Sequence, residues 1–161
     1  MNVQPFLIGT GWIEVRDGND SGRAIFDRHY SRSSYRDSRK PKLYVGPGEK
    51  MVLLYACARA LFVWRKFRSD DGQQGVNCAV FRNEGAGLSS HLIRNADDLA
   101  WERWPGDRHY TYVNPRAVKS HNPGYCFLMA GWRRSGVTKK RKYLILERLC
   151  ESQADLFQPK E

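Results

Sequence analysis

No apolar stretch of this chain reaches the roughly 18 residues that a membrane-spanning helix needs, so no membrane partner is expected. Met1 to Thr10 has no basic segment followed by an apolar one, so no signal peptide is expected either, and a cytoplasmic protein is the default reading. There is no C-x-x-C pair. Cys57, Cys78, Cys126 and Cys150 stand far apart, which argues against a structural zinc site and against a disulfide framework. They read as small buried thiols in a reducing compartment. Internal repeats and low-complexity tracts are absent too. Acidic residues are in short supply, with 17 Asp and Glu against 27 Lys and Arg.

The resulting charge of +10 is the strongest bulk signal. It favours a polyanionic partner through counterion release. The basic residues are clustered: Arg28, Arg32, Arg36, Arg39, Lys40 and Lys42 crowd one segment, interleaved with Tyr30, Tyr35 and Tyr44. Arg133, Arg134, Lys139, Lys140, Arg141 and Lys142 crowd another. Cations hold a phosphate backbone and tyrosines can stack on a base, so nucleic acid is the expected partner, and double-stranded DNA is the form expected to be engaged. A length of 161 residues with 41% apolar content suits one folded domain over 1–150, followed by a polar tail over 151–161.

Periodicity and turn chemistry divide the chain. Phe6 to Val15 reads as a strand bent at Gly9-Thr10-Gly11. Asp20 or Ser21 is placed to cap a short helix over 22–30. Ser31 to Lys42 reads as a mobile basic loop. Met51 to Cys57 and Ala60 to Phe67 form a hairpin of apolar strands, and Val76 to Phe81 is a further strand. Leu92, Ala96, Leu99 and Ala100 recur at helical spacing, so a helix runs from Ser89 or Ser90 to about Trp104. A strand over His109–Val113 follows, then a short helix over 124–130 started by Asn122-Pro123. Trp132 to Val137 and Tyr143 to Leu149 close the domain as two strands. The expected fold is α/β: a mixed central sheet flanked by helices.

Between the third apolar strand and the long helix stands Arg82-Asn83-Glu84-Gly85-Ala86-Gly87-Leu88-Ser89-Ser90. A helix start presents unpaired N–H groups and partial positive charge, and glycines before it let an anion approach the backbone. The spacing R-x-x-G-x-G is neither the Rossmann fingerprint, since position 90 is Ser, nor a P-loop. A tight structural turn is the competing reading.

The order of this turn, a helix, a strand, a short helix carrying Tyr125, Gly131-Trp132 and two strands resembles the GNAT acetyltransferase superfamily over roughly residues 76–148. That resemblance implies acetyl-coenzyme A held by Arg82, Gly85, Ala86, Gly87, Leu88, Ser89 and Ser90. The phrases FDRHYSR (26–32), LFVWRKF (61–67), NCAVFRNEGAGLSSHLIRNADDLAW (77–101), TYVNP (111–115) and NPGYCFLMAGWRRSGVTKKRKYLILE (122–147) are more specific. Together they resemble the Mom family of phage DNA-modification proteins. What that implies is a GNAT-like enzyme that converts adenine N6 in DNA to a carbamoylmethyl derivative and so shields phage DNA from restriction in the bacterial host cytoplasm.

Carried over by position, the family's His-Tyr pair falls on His29 and Tyr30, its coenzyme-loop arginine on Arg82 and its reactive-site tyrosine on Tyr125. Asn114 stands where the family has an acidic residue. Iron has been considered for the family, and Asn is a weaker metal ligand than a carboxylate, so the metal stays unknown. Phe127 occupies the place of the usual GNAT acid tyrosine. The two basic clusters place the expected DNA contacts on Arg28, Arg32, Arg36, Arg39, Lys40, Lys42, Arg133, Arg134, Lys139 and Lys140. His109 and His121 carry no partner signal and read as surface residues. Two other readings stay open: a conventional acetyl-coenzyme A-dependent N-acetyltransferase acting on a protein or small amine, and a non-catalytic DNA-binding module. Oligomeric state is open as well, a dimer included.

Overall fold

A computed structural model of the chain describes residues 7–8, 11–29, 41–118 and 121–151. The chain runs β1 (Leu7–Ile8), β2 (Trp12–Val15), α1 (Asp20–Asp27), β3 (Glu49–Tyr55), β4 (Ala60–Lys66), β5 (Val76–Asn83), α2 (Ser89–Arg103), β6 (His109–Val113), α3 (Tyr125–Met129), β7 (Arg133–Val137) and β8 (Leu144–Arg148). The strands form one mixed sheet in the order β1-β2-β3-β4-β5-β6-β8-β7. Every adjacent pair is antiparallel except β5 and β6, which are parallel because α2 carries the chain across between them. The fold is therefore α/β, and no helix of the described residues is long and apolar enough to cross a membrane.

Burial explains why β3 and β4 read as nearly unbroken apolar runs. Met51, Leu53, Phe62 and Trp64 join the core beneath α2 and α3, while Val52, Leu54, Leu61 and Val63 join a second core beneath α1. Side chains alternate across a strand, so a strand covered on both faces needs apolar residues at every position. Helix α2 is docked by two indoles: Trp12 Nε1 donates to the Leu92 carbonyl and Trp64 Nε1 to the Ala96 carbonyl, both at 3.0 Å. Those carbonyls lie one helical turn apart, which sets the helix's rotation as well as its position.

Several elements differ from expectation for local reasons. The first strand is a small hairpin, since Gly11 at φ 89° lets β2 fold back antiparallel on β1. Asn19, not Asp20 or Ser21, caps α1 by accepting from Gly22 N at 3.0 Å, and the helix ends at Asp27. Helix α3 starts at Tyr125 without a side-chain cap because the cap residue is Gly124, at φ 80°; Asn122 stands two residues earlier, where its Oδ1 accepts from Arg134. Cys57 is exposed rather than buried, and Cys126 and Cys150 are half-buried; all four thiols are free.

His109 is the largest correction. It is fully buried, its ring stacked on Trp101 at 4.4 Å, with Nδ1 2.7 Å from Asp97 Oδ1. Asp97 is fully buried as well, and its Oδ2 accepts from Trp132 Nε1 at 3.0 Å and Arg148 Nη1 at 2.8 Å. One carboxylate thus joins α2, β6, the link before β7, and β8. An Asp97→Ala change leaves the Arg148 guanidinium and two ring N–H partners without their acceptor. Losing one partner of a buried ion pair costs about 3–5 kcal/mol. We expect a loss of that order in urea unfolding, and a loss below ~1 kcal/mol would show that the network is dispensable.

Candidate active site

The parallel ladder between β5 and β6 is short. Val76, Asn77 and Cys78 pair with His109, Tyr110 and Thr111, and there the pairing stops. On the other side of β5, Val63 faces Val80 while Trp64 faces Cys78, so Ala79 is an extra residue, a β-bulge. A bulge bends its strand and raises the local twist. The bend falls where β5 leaves β6, and a wedge opens between them.

That wedge is a cleft of about 150 Å³ lined by His29, Ala79, Phe81, Thr111, Tyr112 and Cys126 among others. Its walls draw on both cores: Phe81, Val113 and Phe127 belong with the α2 side, Ala79 and Val80 with the α1 side. The cleft therefore takes its walls from both faces of the sheet. Cys78 and Cys126 both face it, and burial pushes both thiols above their ordinary range, which keeps them protonated and poor nucleophiles.

At the open end of β5 lies the glycine loop. Gly85 has φ 100° and Gly87 φ 149°, conformations that side-chain-bearing residues rarely adopt. A Cβ at either position would meet no atom within 4 Å, so the space above the loop is clear of protein. The first turn of α2 has no acidic residue, and Leu88 ahead of it supplies no side-chain cap. An anion meets no competing group of the helix there.

Two loop residues that sequence reasoning passed over shape this site. Asn83 Oδ1 accepts from Gly85 N at 3.1 Å and Ala86 N at 2.9 Å, while its Nδ2 donates to the Gly87 carbonyl and to Ser89 Oγ. Asn before a glycine pair is a turn former, and that signal was readable. Glu84 holds Arg82 through a 2.8 Å bond from Nε and is also gripped by Arg28, 56 residues away. Those bonds, Arg28's first, hold the Glu84 carboxyl down at about 2. Arg82 therefore reaches the loop already paired, a contact no local pattern announces.

The remaining expected residues divide. His29 lies in the cleft just past α1, and its pKa is lowered to about 4, chiefly by burial and then by the Arg82 charge, against a hydrogen bond to the Phe81 backbone. It is neutral at pH 7. Tyr125 is 54% exposed, while its neighbours Gly124, Cys126 and Phe127 line the cleft. Asn114 closes a local turn by accepting from Arg116 N at 3.1 Å. His121 is exposed. Tyr30, Arg32, Arg36, Arg39 and Lys40 lie outside the described residues. Of the basic residues described, Arg28 is engaged with Glu84, Arg133 with Glu147 and Arg134 with Asn122; Lys42, Lys139 and Lys140 are exposed. No group of three or more His, Cys, Asp or Glu among the described residues is arranged to hold a metal ion.

The His29 environment has a measurable consequence. Its imidazole should titrate near pH 4 by NMR, and a midpoint near 6.5 would contradict its burial. Between these values the unfolded chain binds a proton that the folded chain does not. The His29 contribution to stability is therefore complete above pH 6.5 and is lost as pH falls toward about 4. An anion bound against Arg82 should move the midpoint up by offsetting the second cause of the shift.

No protein-family model, curated protein or solved structure matches the chain.

Proposed function

We propose that this protein is a GNAT-like, acetyl-coenzyme A-dependent DNA-modification enzyme of Mom type, which converts adenine N6 to its carbamoylmethyl derivative. The observation that carries the reading is the wedge between two parallel strands that part at a bulge, together with the glycine loop that follows β5 in the chain and leads into α2. The loop suits a diphosphate: the space above Gly85 and Gly87 is clear, and no acidic side chain stands in the first turn of α2. Arg82, Gly87, Leu88, Ser89 and Ser90 would hold the coenzyme there. Bound coenzyme would supply an activated two-carbon acyl group. Plain transfer of it gives the N6-acetyl amide and free coenzyme A thiol, so the carbamoylmethyl product requires in addition a nitrogen donor and bonding through the methyl carbon.

The chain's own part is positioning and proton handling. His29 is neutral at pH 7 and stands in the cleft, so its imidazole can accept a proton from the amine. A base this weak gains strength as an anion offsets the Arg82 field, which links coenzyme binding to amine activation. Phe127, Thr111 and the protonated Cys78 and Cys126 thiols keep the passage narrow and largely apolar, which limits hydrolysis.

Plasmid DNA from cells expressing the protein, digested to nucleosides for mass spectrometry, tests the reading. A modified deoxyadenosine is expected. Coenzyme A turnover with unmodified DNA would move the function to a conventional N-acetyltransferase, and neither signal would leave only DNA binding. Gly87→Val should lower coenzyme A affinity at least ~10-fold, about 1.4 kcal/mol, through the side chain placed in the clear space and the strain it brings to a loop residue at φ 149°; circular dichroism of the variant separates this from a loss of fold. The second expectation concerns duplex DNA. Affinity should fall steeply with salt, and Lys139→Ala with Lys140→Ala should flatten the slope by about one phosphate contact per residue. An unchanged slope would place the duplex elsewhere.

A further inference from the structure

A second cavity lies on the face of the sheet that α1 leaves uncovered. It measures about 740 Å³ and is walled by the loop around Ser69–Gln73 on one side and the β7–β8 turn on the other. That size falls within the roughly 300–1,000 Å³ typical of small-molecule sites, enough for a nucleotide and far too small for a duplex.

The first wall is pinned in place. Ser69 Oγ donates to Asp71 Oδ1 at 2.7 Å and accepts from Gln73 N at 2.6 Å, Tyr112 OH donates to Asp71 Oδ1 at 2.6 Å, and Arg108 Nη1 donates to the Gln74 carbonyl at 3.0 Å. These bonds fold the loop back over the sheet. The groove is thus preformed.

Its lining combines flat rings with cations. The Arg65 guanidinium lies 3.6 Å over the Phe67 ring, and Arg141 lies over Tyr143 at 6.0 Å. Lys139 and Lys140 stand exposed at the rim. Asp70 and Asp71 offer carboxylate acceptors on the opposite wall. Four cations against two carboxylates leave the lining net positive. Cations at a rim hold phosphates, ring and guanidinium faces stack on bases, and carboxylates accept from exocyclic amino groups. Stacking requires an exposed base face, which a paired duplex does not present.

Tyr112 supplies the link to the first cavity, because it lines both. Its phenol is held to Asp71 and kept protonated, by burial first and by that bond second, so it acts as a fixed partition. A strand lying in the groove would have its neighbouring base directed past Tyr112 into the cleft.

We infer that this groove is a binding site for an unpaired nucleic-acid strand, seating the nucleotide beside the one presented to the cleft, with Tyr112 as the positioning residue between them. The inference rests on the transfer reading for what happens in the cleft, but strand binding can be tested without it.

A single-stranded oligodeoxynucleotide carrying 5-iododeoxyuridine, photocrosslinked to the whole chain and mapped by mass spectrometry, is the test. Crosslinks on Phe67, Tyr112 or Tyr143 are expected. The Lys139→Ala/Lys140→Ala variant should bind the same strand ~10-fold more weakly, with thermal stability unchanged. Crosslinks confined to other peptides, no crosslink, or a double variant that binds as tightly as the parent each overturn the groove. Coenzyme A binding measured separately by calorimetry tells the two readings apart. Groove crosslinks without coenzyme binding would sink the transfer reading and leave the groove standing, while coenzyme binding without groove crosslinks would do the reverse.

Discussion

A single buried carboxylate holds the apex of the cleft. Asp97 reaches from α2 to His109 at the start of β6 and to Arg148 at the end of β8, which are paired to each other in the ladder, and it also takes the Trp132 indole. His109 is in turn opposite Val76, the first residue of the short parallel ladder. The network therefore closes the sheet where β5 and β6 meet, and the bulge at Ala79 is free to part them a few residues further on. The packing around this carboxylate is aromatic: Trp64, Trp101 and Trp132 surround the His109 ring. In such low-polarity surroundings each bond to the carboxylate is strong, and its loss correspondingly costly.

The glycine loop beyond β5 has the opposite character. Its groups are polar, partly exposed and already committed to one another: Asn83 organises the glycine loop, and Glu84 gathers Arg28 and Arg82. An incoming anion meets a loop whose shape is set in advance, with two guanidinium groups held close by an internal carboxylate. Preorganisation of this kind lowers the entropy cost of binding, at the expense of competition for the arginines. His29 senses the same charge, since the Arg82 field is one cause of its lowered pKa. The loop and the cleft are coupled electrostatically with no change of shape required.

The two cavities divide the sheet's surface between them. The cleft is narrow and lined by residues of both cores, while the groove spreads over the face that α1 does not reach and carries the charge. Tyr112 is their common wall. From the β7–β8 turn Lys139, Lys140 and Arg141 line the groove, while Arg133 pairs with Glu147 and Arg134 donates to Asn122.

The secondary structure was legible because its causes are local. Alternating and continuous apolar runs marked β3, β4 and β5, helical spacing of Leu92, Ala96 and Leu99 marked α2, and Arg82-x-x-Gly85-x-Gly87 marked an anion-accessible loop. The caps were misplaced by a residue or more, since neighbouring Asn19, Asp20 and Ser21 are near-equal in capping ability and tertiary geometry chooses among them. The site was legible only in part. His29 was expected at the cleft only through the resemblance of its segment to a known family, whereas Glu84, Tyr112 and the Asp97–His109 pair were not expected there at all. Each depends on a partner brought close by the sheet: Arg28 for Glu84, Asp71 for Tyr112, Trp132 and Arg148 for Asp97. Residue order by itself determined which segments are strands and helices and where a glycine turn leads into a helix start. Only the tertiary structure decided where β5 and β6 part and which charges are already paired, because strand register and long-range ion pairs arise from contacts between segments far apart in the chain.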